Sequence, residues 1–385
     1  MVEWKKLGEF TTHQKAKNKN HVTENAYSIT QAGLIPTKSF FKEKTNVTSS
    51  DTSGYYIVEK EWFVYSPSRI DVGSISYLKD EGPVIVSPID VVFSVDKNIC
   101  LPSFLLGYFF TYKGKKDLLK NREGVEGMGR RNLPYESIKD IEIPIPPLAE
   151  QTRIVGILDT FTAAIENLKE QIALRRKQFE YYRDQLLDLE GKEGVEMKQI
   201  REIFDTRNGY TPSTNNDAFW DNGTLPWFKM EDIRINGRIL KDSILHITPK
   251  AVKGKGLFKA NSIILATSAT IGEHALITVE HLCNQRFTNF YPKKIFEDKI
   301  NMKYVYYYMF KVDEWCKQHI NQGGFASVDM GGLYSLFFPV PSLQDQQRIV
   351  SILDTFEASI SNLEAQLEQR EKQYEYYRNK LLTFE

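Results

Sequence analysis

Large apolar residues recur along one part of this chain at alternating steps of four and three. This heptad spacing places them on one side of a helix and is typical of helices that pack lengthwise against another helix. No proline interrupts the window, and at 1.5 Å of rise per residue such a helix is roughly 54 Å long. The pattern therefore predicts a long helix with an apolar seam, formed by Ile154, Leu158, Phe161, Ile165, Leu168, Ile172, Phe179, Tyr182, Leu186 and Leu189.

The same seam occurs a second time, 195 positions further along the chain. Both copies begin with a proline-rich segment and share Gln-x-Arg-Ile-Val, Ile-Leu-Asp-Thr-Phe and Glu-Tyr-Tyr-Arg, so residues 144–190 and 339–385 are an internal repeat. Val195-Glu-Met-Lys198, after the first copy, also resembles Val2-Glu-Trp-Lys5 at the chain start. We therefore predict globular domains at 1–143 and 191–338, followed by spacer helix regions at 144–190 and 339–385, in a circular order. The second seam consists of Ile349, Leu353, Phe356, Ile360, Leu363, Leu367, Tyr374, Tyr377, Leu381 and Phe384.

One position in each seam is charged, and it indicates how the helices are oriented. Arg175 and Arg370 occur where an apolar residue is due. A parallel, in-register pair would place these two cations face to face, and like charges in a partly buried layer are costly. An antiparallel pair separates them, so that each arginine stem packs along the seam while its charged group contacts a carboxylate. We predict antiparallel helices about a pseudo-twofold axis; the alternative is that each helix packs only on its own domain.

Length and composition agree with a chain of two domains. At 385 residues there is room for two domains of about 150 residues, each large enough to bury a core. The sequence has no apolar run near 18 residues and no secretory signal at its start, so we expect a cytoplasmic protein that does not enter a membrane. Cys100, Cys283 and Cys316 lack the paired spacing of a zinc site, and we expect reduced thiols. The predicted fold class is α+β: two globular domains of mixed α/β structure, separated by two long antiparallel coiled-coil helices.

Charge is balanced in total but unevenly distributed. The chain has 50 basic and 50 acidic residues, yet the helical segments 148–190 and 343–385 carry net charges of −2 and −3, which leaves +5 on the remainder. A single basic cluster is most often a solvated loop. Clusters in both globular parts suggest instead a long anionic partner that is bound at two places. They are Lys15, Lys17 and Lys19; Lys113, Lys115, Lys116 and Lys120; Arg130 and Arg131; and Lys250, Lys253, Lys255 and Lys259.

The order of motifs along the chain resembles a known family. The second globular part contains Asn208-Gly-Tyr-Thr-Pro-Ser213, Leu225-Pro-Trp227, Ala260-Asn-Ser-Ile-Ile-Leu-Ala266, Ala269-Thr-Ile-Gly272 and Cys283-Asn-Gln-Arg286. The first part has diverged and contains Tyr65-Ser-Pro-Ser-Arg69, Val72-Gly-Ser-Ile-Ser76 and Gly127-Met-Gly-Arg-Arg-Asn-Leu133. Each helix begins with Pro-x-Pro-x-Leu-x-x-Gln-x-Arg-Ile. Together these features resemble the specificity subunits of type I restriction-modification enzymes, with two target-recognition domains and two spacers.

The resemblance implies a DNA-recognition subunit without catalytic activity of its own. In that family each globular domain recognises one half of a split, asymmetric target, and the antiparallel helices fix the gap between the halves. The helices also dock two methyltransferase subunits, and restriction/translocase subunits join the larger assembly. The resemblance thus implies double-stranded DNA as the ligand and no cofactor in this chain. S-adenosylmethionine is then expected in the methyltransferase, and ATP and Mg²⁺ in the nuclease subunit.

The sequence contains no recognisable catalytic motif. An adenine methyltransferase needs a cofactor-binding glycine loop and an Asn- or Asp-Pro-Pro-aromatic motif, but the one Pro-Pro pair, Pro146-Pro147, is followed by leucine. Lys253-Gly-Lys-Gly256 lacks the spacing of a nucleotide-binding loop, and Glu297-Asp-Lys299 is only a fragment of a nuclease motif. Two alternatives remain open: a coiled-coil adaptor that binds proteins and not DNA, and a single-chain nuclease or methyltransferase with degenerate motifs.

Candidate contact residues follow from residue type and local sequence. We expect DNA contacts from basic and small polar residues in glycine-containing segments, where the backbone can approach the duplex and arginine can reach guanine edges. The alternative for each is a role in a turn or in fold stability. The candidates are Arg69, Ser74, Ser76, Arg130 and Arg131 in the first domain, and Thr211, Ser213, Lys253, Lys255, Ser268 and Arg286 in the second.

A second set of candidates lies on the helices, outside the seam. The two copies keep identical residues there, and tyrosine on a charged helix surface is a good anchor for a protein interface. Equal surfaces at two places indicate that the same partner binds twice; the alternative is that these residues stiffen the helix through pairs four residues apart. The candidates are Lys177 and Tyr181 in the first copy and Lys372 and Tyr376 in the second.

Overall fold

A computed structural model describes residues 2–40, 51–120, 132–321 and 326–384. The chain divides into two compact units. Unit 1 comprises Met1–Glu170 together with Leu363–Glu385, and unit 2 comprises Gln171–Asn362. Each unit therefore contains one globular part and a portion of both long helices. Among the described residues, no helix combines the length and the apolar character needed to cross a bilayer.

Unit 1 combines short strands and short helices that precede the first long helix. Its strands are β1 (Glu3–Lys6), β2 (Thr11–Gln14), β3 (Tyr27–Thr30), β4 (Gly33–Pro36), β5 (Tyr56–Val58), β6 (Phe63–Tyr65), β7 (Ile75–Tyr77), β8 (Val84–Val86), β9 (Val91–Val95) and β10 (Glu142–Ile145). Its helices are α1 (Thr37–Phe40), α2 (Pro102–Phe109), α3 (Tyr112–Lys120), α4 (Tyr135–Ile138) and the first part of α5 (Leu148–Leu186), with 3₁₀ turns at Leu7–Glu9 and Ile70–Val72.

The core of unit 1 lies against an antiparallel sheet with the strand order β2-β9-β6-β7. All three residues of β6 are buried, as expected for a strand covered on both faces. Phe63 of β6 stacks on Phe93 of β9 with 4.9 Å between ring centroids. Phe104 and Tyr108 of α2 and Ile154 of α5 join the same apolar cluster. The start of the long helix is therefore part of the domain core.

Unit 2 has the same general composition. Its strands are β11 (Glu196–Gln199), β12 (Phe204–Asn208), β13 (Leu225–Phe228), β14 (Ile239–Leu240), β15 (Leu245–Ile247), β16 (Ser262–Ala266), β17 (His274–Ile277), β18 (Leu282–Cys283), β19 (Phe287–Pro292), β20 (Ile320–Asn321), β21 (Ser327–Val328) and β22 (Phe337–Val340). Its helices are α6 (Ile200–Ile203), α7 (Met230–Asn236), α8 (Met302–Gln318), α9 (Met330–Ser335) and the first part of α10 (Leu343–Thr383), with 3₁₀ turns at Asp217–Phe219, Pro249–Ala251 and Lys294–Phe296.

The main sheet of unit 2 repeats the arrangement of unit 1 although the sequences have diverged. Its order is β12-β19-β16-β17-β14, and the first four strands are antiparallel like their counterparts β2-β9-β6-β7. The fifth strand, β14, pairs parallel with β17. A separate sheet, β15-β13-β18, carries the other apolar cluster of this unit. The two globular parts therefore share a framework and differ in what is added to it.

The first and last strands of each globular part pair with each other in the same register. β1 pairs antiparallel with β10, which places Trp4 opposite Pro144. β11 pairs antiparallel with β22, which places Met197 opposite Pro339. The sequence similarity between the chain start and the segment after the first helix thus corresponds to one structural element that occurs twice.

In unit 1 the end of α10 runs antiparallel to the start of α5. Phe161 stacks on Tyr377 with 5.4 Å between ring centroids, and the ion pair of Lys169 with Glu371 spans 3.1 Å. Residue numbers along α5 rise where those along α10 fall, so the two helix segments are antiparallel. The guanidinium of Arg370 lies 5.7 Å from the centroid of the Phe161 ring.

In unit 2 the same three residue types meet with the helices exchanged. Tyr182 stacks on Phe356 with 5.4 Å between ring centroids, and the guanidinium of Arg175 lies 6.0 Å from the Phe356 centroid. The sequence predicts a carboxylate beside each arginine, whereas the contact found in each unit is with the face of a phenylalanine ring. A planar guanidinium above an aromatic ring is a favourable cation–π contact. Each arginine is thus accommodated within the seam by the ring of the other helix.

The cysteines are core residues. Cys100, Cys283 and Cys316 are all buried and free. Burial raises the pKa of the Cys100 and Cys316 thiols to about 12, and it also raises the pKa of the Cys283 thiol. At neutral pH the three thiols are therefore protonated and behave as small apolar side chains.

Candidate nucleic-acid interface

In unit 2 the segment 208–213 lies against the turn that joins β18 to β19. The backbone N–H of Gly209 donates to the carbonyl of Phe287 at 2.9 Å, and that of Tyr210 donates to the carbonyl of Cys283 at 2.8 Å. A Cβ atom at position 209 would lie 2.2 Å from the carbonyl oxygen of Asn284. Only glycine permits this approach, and the two segments are consequently held together by their backbones.

Tyr210 connects this segment to the basic loop 253–256. Its hydroxyl donates to the carbonyl of Ala251 at 3.1 Å and accepts from the backbone N–H of Lys253 at 2.9 Å. Its own carbonyl accepts from the indole N–H of Trp227 at 3.0 Å. The Lys253 ammonium lies 5.6 Å from the centroid of the Tyr210 ring. One tyrosine thereby fixes where this exposed cation lies.

The turn itself is closed by its own backbone and by an asparagine. The backbone N–H of Arg286 donates to Asn284 Oδ1 at 3.0 Å, and that of Phe287 donates to the Asn284 carbonyl at 3.2 Å. The carbonyl of Arg286 accepts from the backbone N–H of Thr267 at 2.9 Å. Gln285 and Arg286, at the tip of this turn, are exposed. The turn therefore presents two exposed polar side chains on a backbone that is fixed by hydrogen bonds.

Several predicted DNA contacts of the second domain meet at this turn. Thr211 hydrogen-bonds through its hydroxyl to Gln285 Oε1, and Ser268 follows the threonine that is bonded to the turn. We name this group of side chains the turn cluster: Thr211, Lys253, Ser268, Gln285 and Arg286. It brings together residues that are up to 75 positions apart in the sequence. Cations and small polar side chains on a fixed backbone are the groups that contact phosphates and base edges.

Two further predicted residues lie beside the turn cluster. Ser213 is exposed and its carbonyl accepts from the indole N–H of Trp220 at 3.0 Å. Lys255 is exposed between two glycines with positive φ, Gly254 and Gly256. The carbonyl of Gly256 accepts from the Arg207 guanidinium at 2.9 Å. Both predicted residues are therefore on the surface of loops that the domain holds in place.

The predicted DNA-contact residues of unit 1 differ in how far they are exposed. Arg69 is exposed in the turn between β6 and β7. Ser74 and Ser76 are only 1% and 6% exposed, because Ser74 closes that turn through its backbone and Ser76 lies within β7. Their positions favour the alternative of a fold-stabilising role over contact with DNA. Arg130 and Arg131 lie outside the described residues.

Gln285 and the corresponding turn of unit 1 are not among the residues that the sequence predicts as DNA contacts. That turn joins β8 to β9 and exposes Ile89, whose side chain is 71% exposed. The next residue, Asp90, is buried, and burial raises its carboxyl pKa to about 7. The signal that could have found both turns is their placement before a central strand of the four-strand framework, which became visible only from the strand pairing.

The predicted partner-binding tyrosines are exposed on both helices. Tyr181 and Tyr376 are 62% and 58% exposed. Each packs edge-on against the following tyrosine with 5.3 Å between ring centroids and an interplanar angle of 78°. Lys177 and Lys372 are exposed as well, and Tyr376 and Lys372 line an open groove of about 530 Å³ on α10. The two helices thus present the same local surface in each unit.

Comparison with known proteins gives a family match that covers both repeats. The profile described as "Type I restriction modification DNA specificity domain" matches residues 1–176 and again 192–371. The chain is 33% identical over 408 aligned residues to the EcoR124I/EcoR124II specificity subunit of Escherichia coli, covering 100% of this chain and 94% of that protein. It is 48% identical over 214 residues to the EcoprrI specificity subunit of Escherichia coli, covering 53% of each protein.

Solved structures agree with the fold. A structure determined for the assembly and conformational transition of a type I restriction-modification system matches with a TM-score of 0.66 and 16% identity, covering 99% of this chain and 97% of that one. The crystal structure of the HsdS subunit from Thermoanaerobacter tengcongensis matches with a TM-score of 0.53 and 16% identity, covering 99% and 96% of the two chains. Both similarities concern the two-domain architecture of mixed α and β structure.

Proposed function

The chain belongs to the type I restriction-modification DNA specificity family, and we propose that it is the subunit that recognises the DNA target of such an enzyme. In this proposal it is not an enzyme itself. It binds double-stranded DNA through its two globular parts, each of which recognises one half of a bipartite, asymmetric target. The observation that carries the proposal is that the two globular parts share a four-strand framework but differ in the residues on their turns.

The turns explain why the halves of the target should differ. The tip of the β18–β19 turn has Gln285 and Arg286, a hydrogen-bonding residue and a cation, whereas the β8–β9 turn exposes Ile89. Amide and guanidinium groups discriminate purine edges in the major groove, and an apolar side chain suits the methyl group of thymine. Two identical domains about a twofold axis would require a palindromic target, and two different domains would not.

The two long helices supply the second part of the proposal. We propose that α5 and α10 form an antiparallel coiled coil with pseudo-twofold symmetry, within spacer regions 144–190 and 339–385 that separate recognition domains 1–143 and 191–338. The exchanged trios of arginine, phenylalanine and tyrosine support this arrangement. Rigid helices of fixed length would set the number of base pairs between the two half-sites.

Catalysis in this proposal comes from other subunits. Two methyltransferase subunits would dock on the equivalent helix surfaces around Tyr181 and Tyr376, because aromatic residues exposed on a charged surface are typical interface anchors. The methyltransferase would supply S-adenosylmethionine chemistry, and restriction/translocase subunits would use ATP and Mg²⁺. The proposed ligand is double-stranded DNA, and the proposed location is the cytoplasm.

The experiment is to purify the full chain with its methyltransferase and map the adenines that the complex methylates on random-sequence DNA. The proposal expects one split motif with two different halves and a constant gap. Methylation without a common motif, or a single continuous motif, would contradict it. The chain alone should bind duplex DNA with an affinity that falls as salt increases, and an adaptor that binds only proteins would show no such binding.

A further inference from the structure

Gln285 is the one exposed side chain of the turn cluster whose functional group is held by another member of the cluster. Its carbonyl oxygen Oε1 accepts a hydrogen bond from the Thr211 hydroxyl. Exposed glutamines ordinarily sample many rotamers, and ordering one on binding costs conformational entropy. A glutamine that is already oriented in the free protein avoids part of that cost, which is the physical meaning of preorganisation.

The turn does not need the Gln285 side chain in order to fold. Asn284 closes it by accepting from the backbone N–H groups of Arg286 and Phe287. The backbone N–H of Asn284 in turn donates to the carbonyl of Phe228 at 3.0 Å. These bonds fix the turn through asparagine and main-chain groups. The contact between Thr211 and Gln285 is therefore additional to what the turn requires.

The neighbours of Thr211 in the chain are themselves held in place. Thr211 lies between Tyr210, whose carbonyl, N–H and hydroxyl are all hydrogen-bonded, and the buried Pro212. Its hydroxyl thus approaches Gln285 from a fixed point. When Oε1 accepts from this hydroxyl, it keeps a second lone pair, and the amide nitrogen retains its two donor hydrogens.

This donor and acceptor pair matches one base. A glutamine recognises adenine in the major groove by donating to N7 and accepting from the N6 amino group. On that basis, and resting on the proposed function, we propose that Gln285 determines specificity for an A·T pair in the half-site recognised by unit 2, and that Thr211 acts as its positioning residue. Lys253 and Arg286 are exposed cations of the same turn cluster, and cations of this kind contact DNA phosphates.

The test uses the full chain in complex with its methyltransferase and a library of randomised DNA duplexes. Preference for each base at each position is measured for the wild type and for Gln285→Ala. We expect one A·T position of one half-site to lose roughly ten- to a hundred-fold of its discrimination, in proportion to the value of a bidentate base contact. The other positions and the other half-site should keep their preferences.

Thr211→Val tests the positioning role. Valine keeps the shape of threonine and removes the donor, so we expect a smaller loss of discrimination at the same A·T position. Because it leaves the Gln285 side chain in place, this variant also decides the matter if Gln285→Ala does not fold. The matched control is Gln318→Ala, which removes an exposed glutamine of the same unit at the end of α8; it should leave every preference unchanged.

Three results would overturn the inference. Both variants could retain the wild-type preference at all positions, or the position that changes could be a G·C pair. Affinity could also fall equally for every sequence, which would make Gln285 a backbone contact. These results differ from failure of the proposed function, in which the wild-type complex itself would select no sequence.

Discussion

Gln151 and Gln346 occupy equivalent places in the two units, and each makes the same three hydrogen bonds. Both side chains are completely buried in the first turns of α5 and α10. Gln151 Oε1 accepts from the backbone N–H of Leu101 at 2.8 Å, while its Nε2 donates to the carbonyls of Ile99 at 2.8 Å and Pro146 at 2.9 Å. The amide thereby ties the helix start to the proline-rich segment and to the loop before α2.

Gln346 repeats this pattern without exception. Its Oε1 accepts from the backbone N–H of Asn301 at 2.8 Å, and its Nε2 donates to the carbonyls of Lys299 and Pro341, each at 2.9 Å. The loop involved is the one before α8. A buried amide that satisfies three backbone groups is a specific connection between helix and domain, because any apolar replacement leaves those groups without partners.

We predict that Gln151→Leu and Gln346→Leu each destabilise their own unit by several kcal/mol. Each substitution leaves one buried N–H and two buried carbonyls unpaired, and an unsatisfied buried group costs about 1–3 kcal/mol. Urea denaturation followed by circular dichroism measures the effect. Gln344→Leu is the matched control, because Gln344 is exposed on α10, and it should change the free energy of unfolding by at most about 0.5 kcal/mol. Equal effects of the control and the buried variants would contradict the assigned role.

A second prediction concerns the helices as spacers. Inserting one heptad into both α5 and α10 at equivalent places preserves the seam, because seven residues complete two turns of the coiled-coil pattern. The methylated motif should then keep both halves and acquire a longer gap. Insertion into α5 alone is the control: it shifts the rings of one helix past their partners and should lower stability. A folded, active double-insertion variant with an unchanged gap would show that the helices do not set it.

Asp90 should make the stability of unit 1 depend on pH. Burial raises the pKa of this carboxyl from 3.8 to about 7. The Asp90 carboxyl therefore loses its proton near pH 4 in the unfolded chain and only near pH 7 in the folded chain. Its contribution to the free energy of unfolding is fully present below pH 4 and is lost as pH rises through 7.

Asp90→Asn removes this titration. Relative to the wild type, the variant should gain stability between pH 5 and pH 8, by an amount of order a few kcal/mol. Urea midpoints measured at both pH values give the comparison. Glu59→Gln, at an exposed position of the same unit, should show no relative change. A wild type whose stability relative to Asp90→Asn increases with pH would refute the assignment.

The exposed tyrosines predict the stoichiometry of the complex. Tyr181→Glu and Tyr376→Glu place a charge where a partner would bury an aromatic ring, which disfavours docking. Sedimentation of the reconstituted complex should show one methyltransferase subunit fewer for each substitution, while the isolated chain keeps its helical circular dichroism. Ile295→Glu changes a side chain that is 72% exposed on the globular part of unit 2, and it should leave loading intact. Full loading of the double tyrosine variant would remove the basis for this surface.

The sequence predicted the long helices well and the globular domains only in outline. Periodicity is a local signal, so regions 144–190 and 339–385 contain the helices Leu148–Leu186 and Leu343–Thr383 with only short flanks. The order β2-β9-β6-β7 could not be predicted, because it depends on pairing between strands that are far apart in sequence. Residue type alone likewise suggested surface roles for serines that the fold buries.

The candidate DNA-contact residues likewise divide into those with a local sequence signal and those that depend on a distant residue. Lys253 and Lys255 lie beside glycines in the sequence and Arg286 can reach guanine edges, which predicts DNA contact for each of them, and all three are exposed. Gln285 could not be predicted from the sequence, because its role depends on Thr211, which is 74 positions away in the sequence. The conformation of Arg175 was also set by a partner on the other helix. Side chains that act through a distant neighbour carry no local signal.

The pairing of β1 with β10 and of β11 with β22 has a genetic consequence. Because of this pairing, the two ends of each globular part lie side by side. The helical repeats that follow the two globular parts are identical at 27 of 47 positions. Homologous recombination within those repeats would exchange an entire globular part between related genes while keeping its two ends paired. New target specificities could then arise by a single crossover event, with no need for the gradual accumulation of substitutions in a working domain.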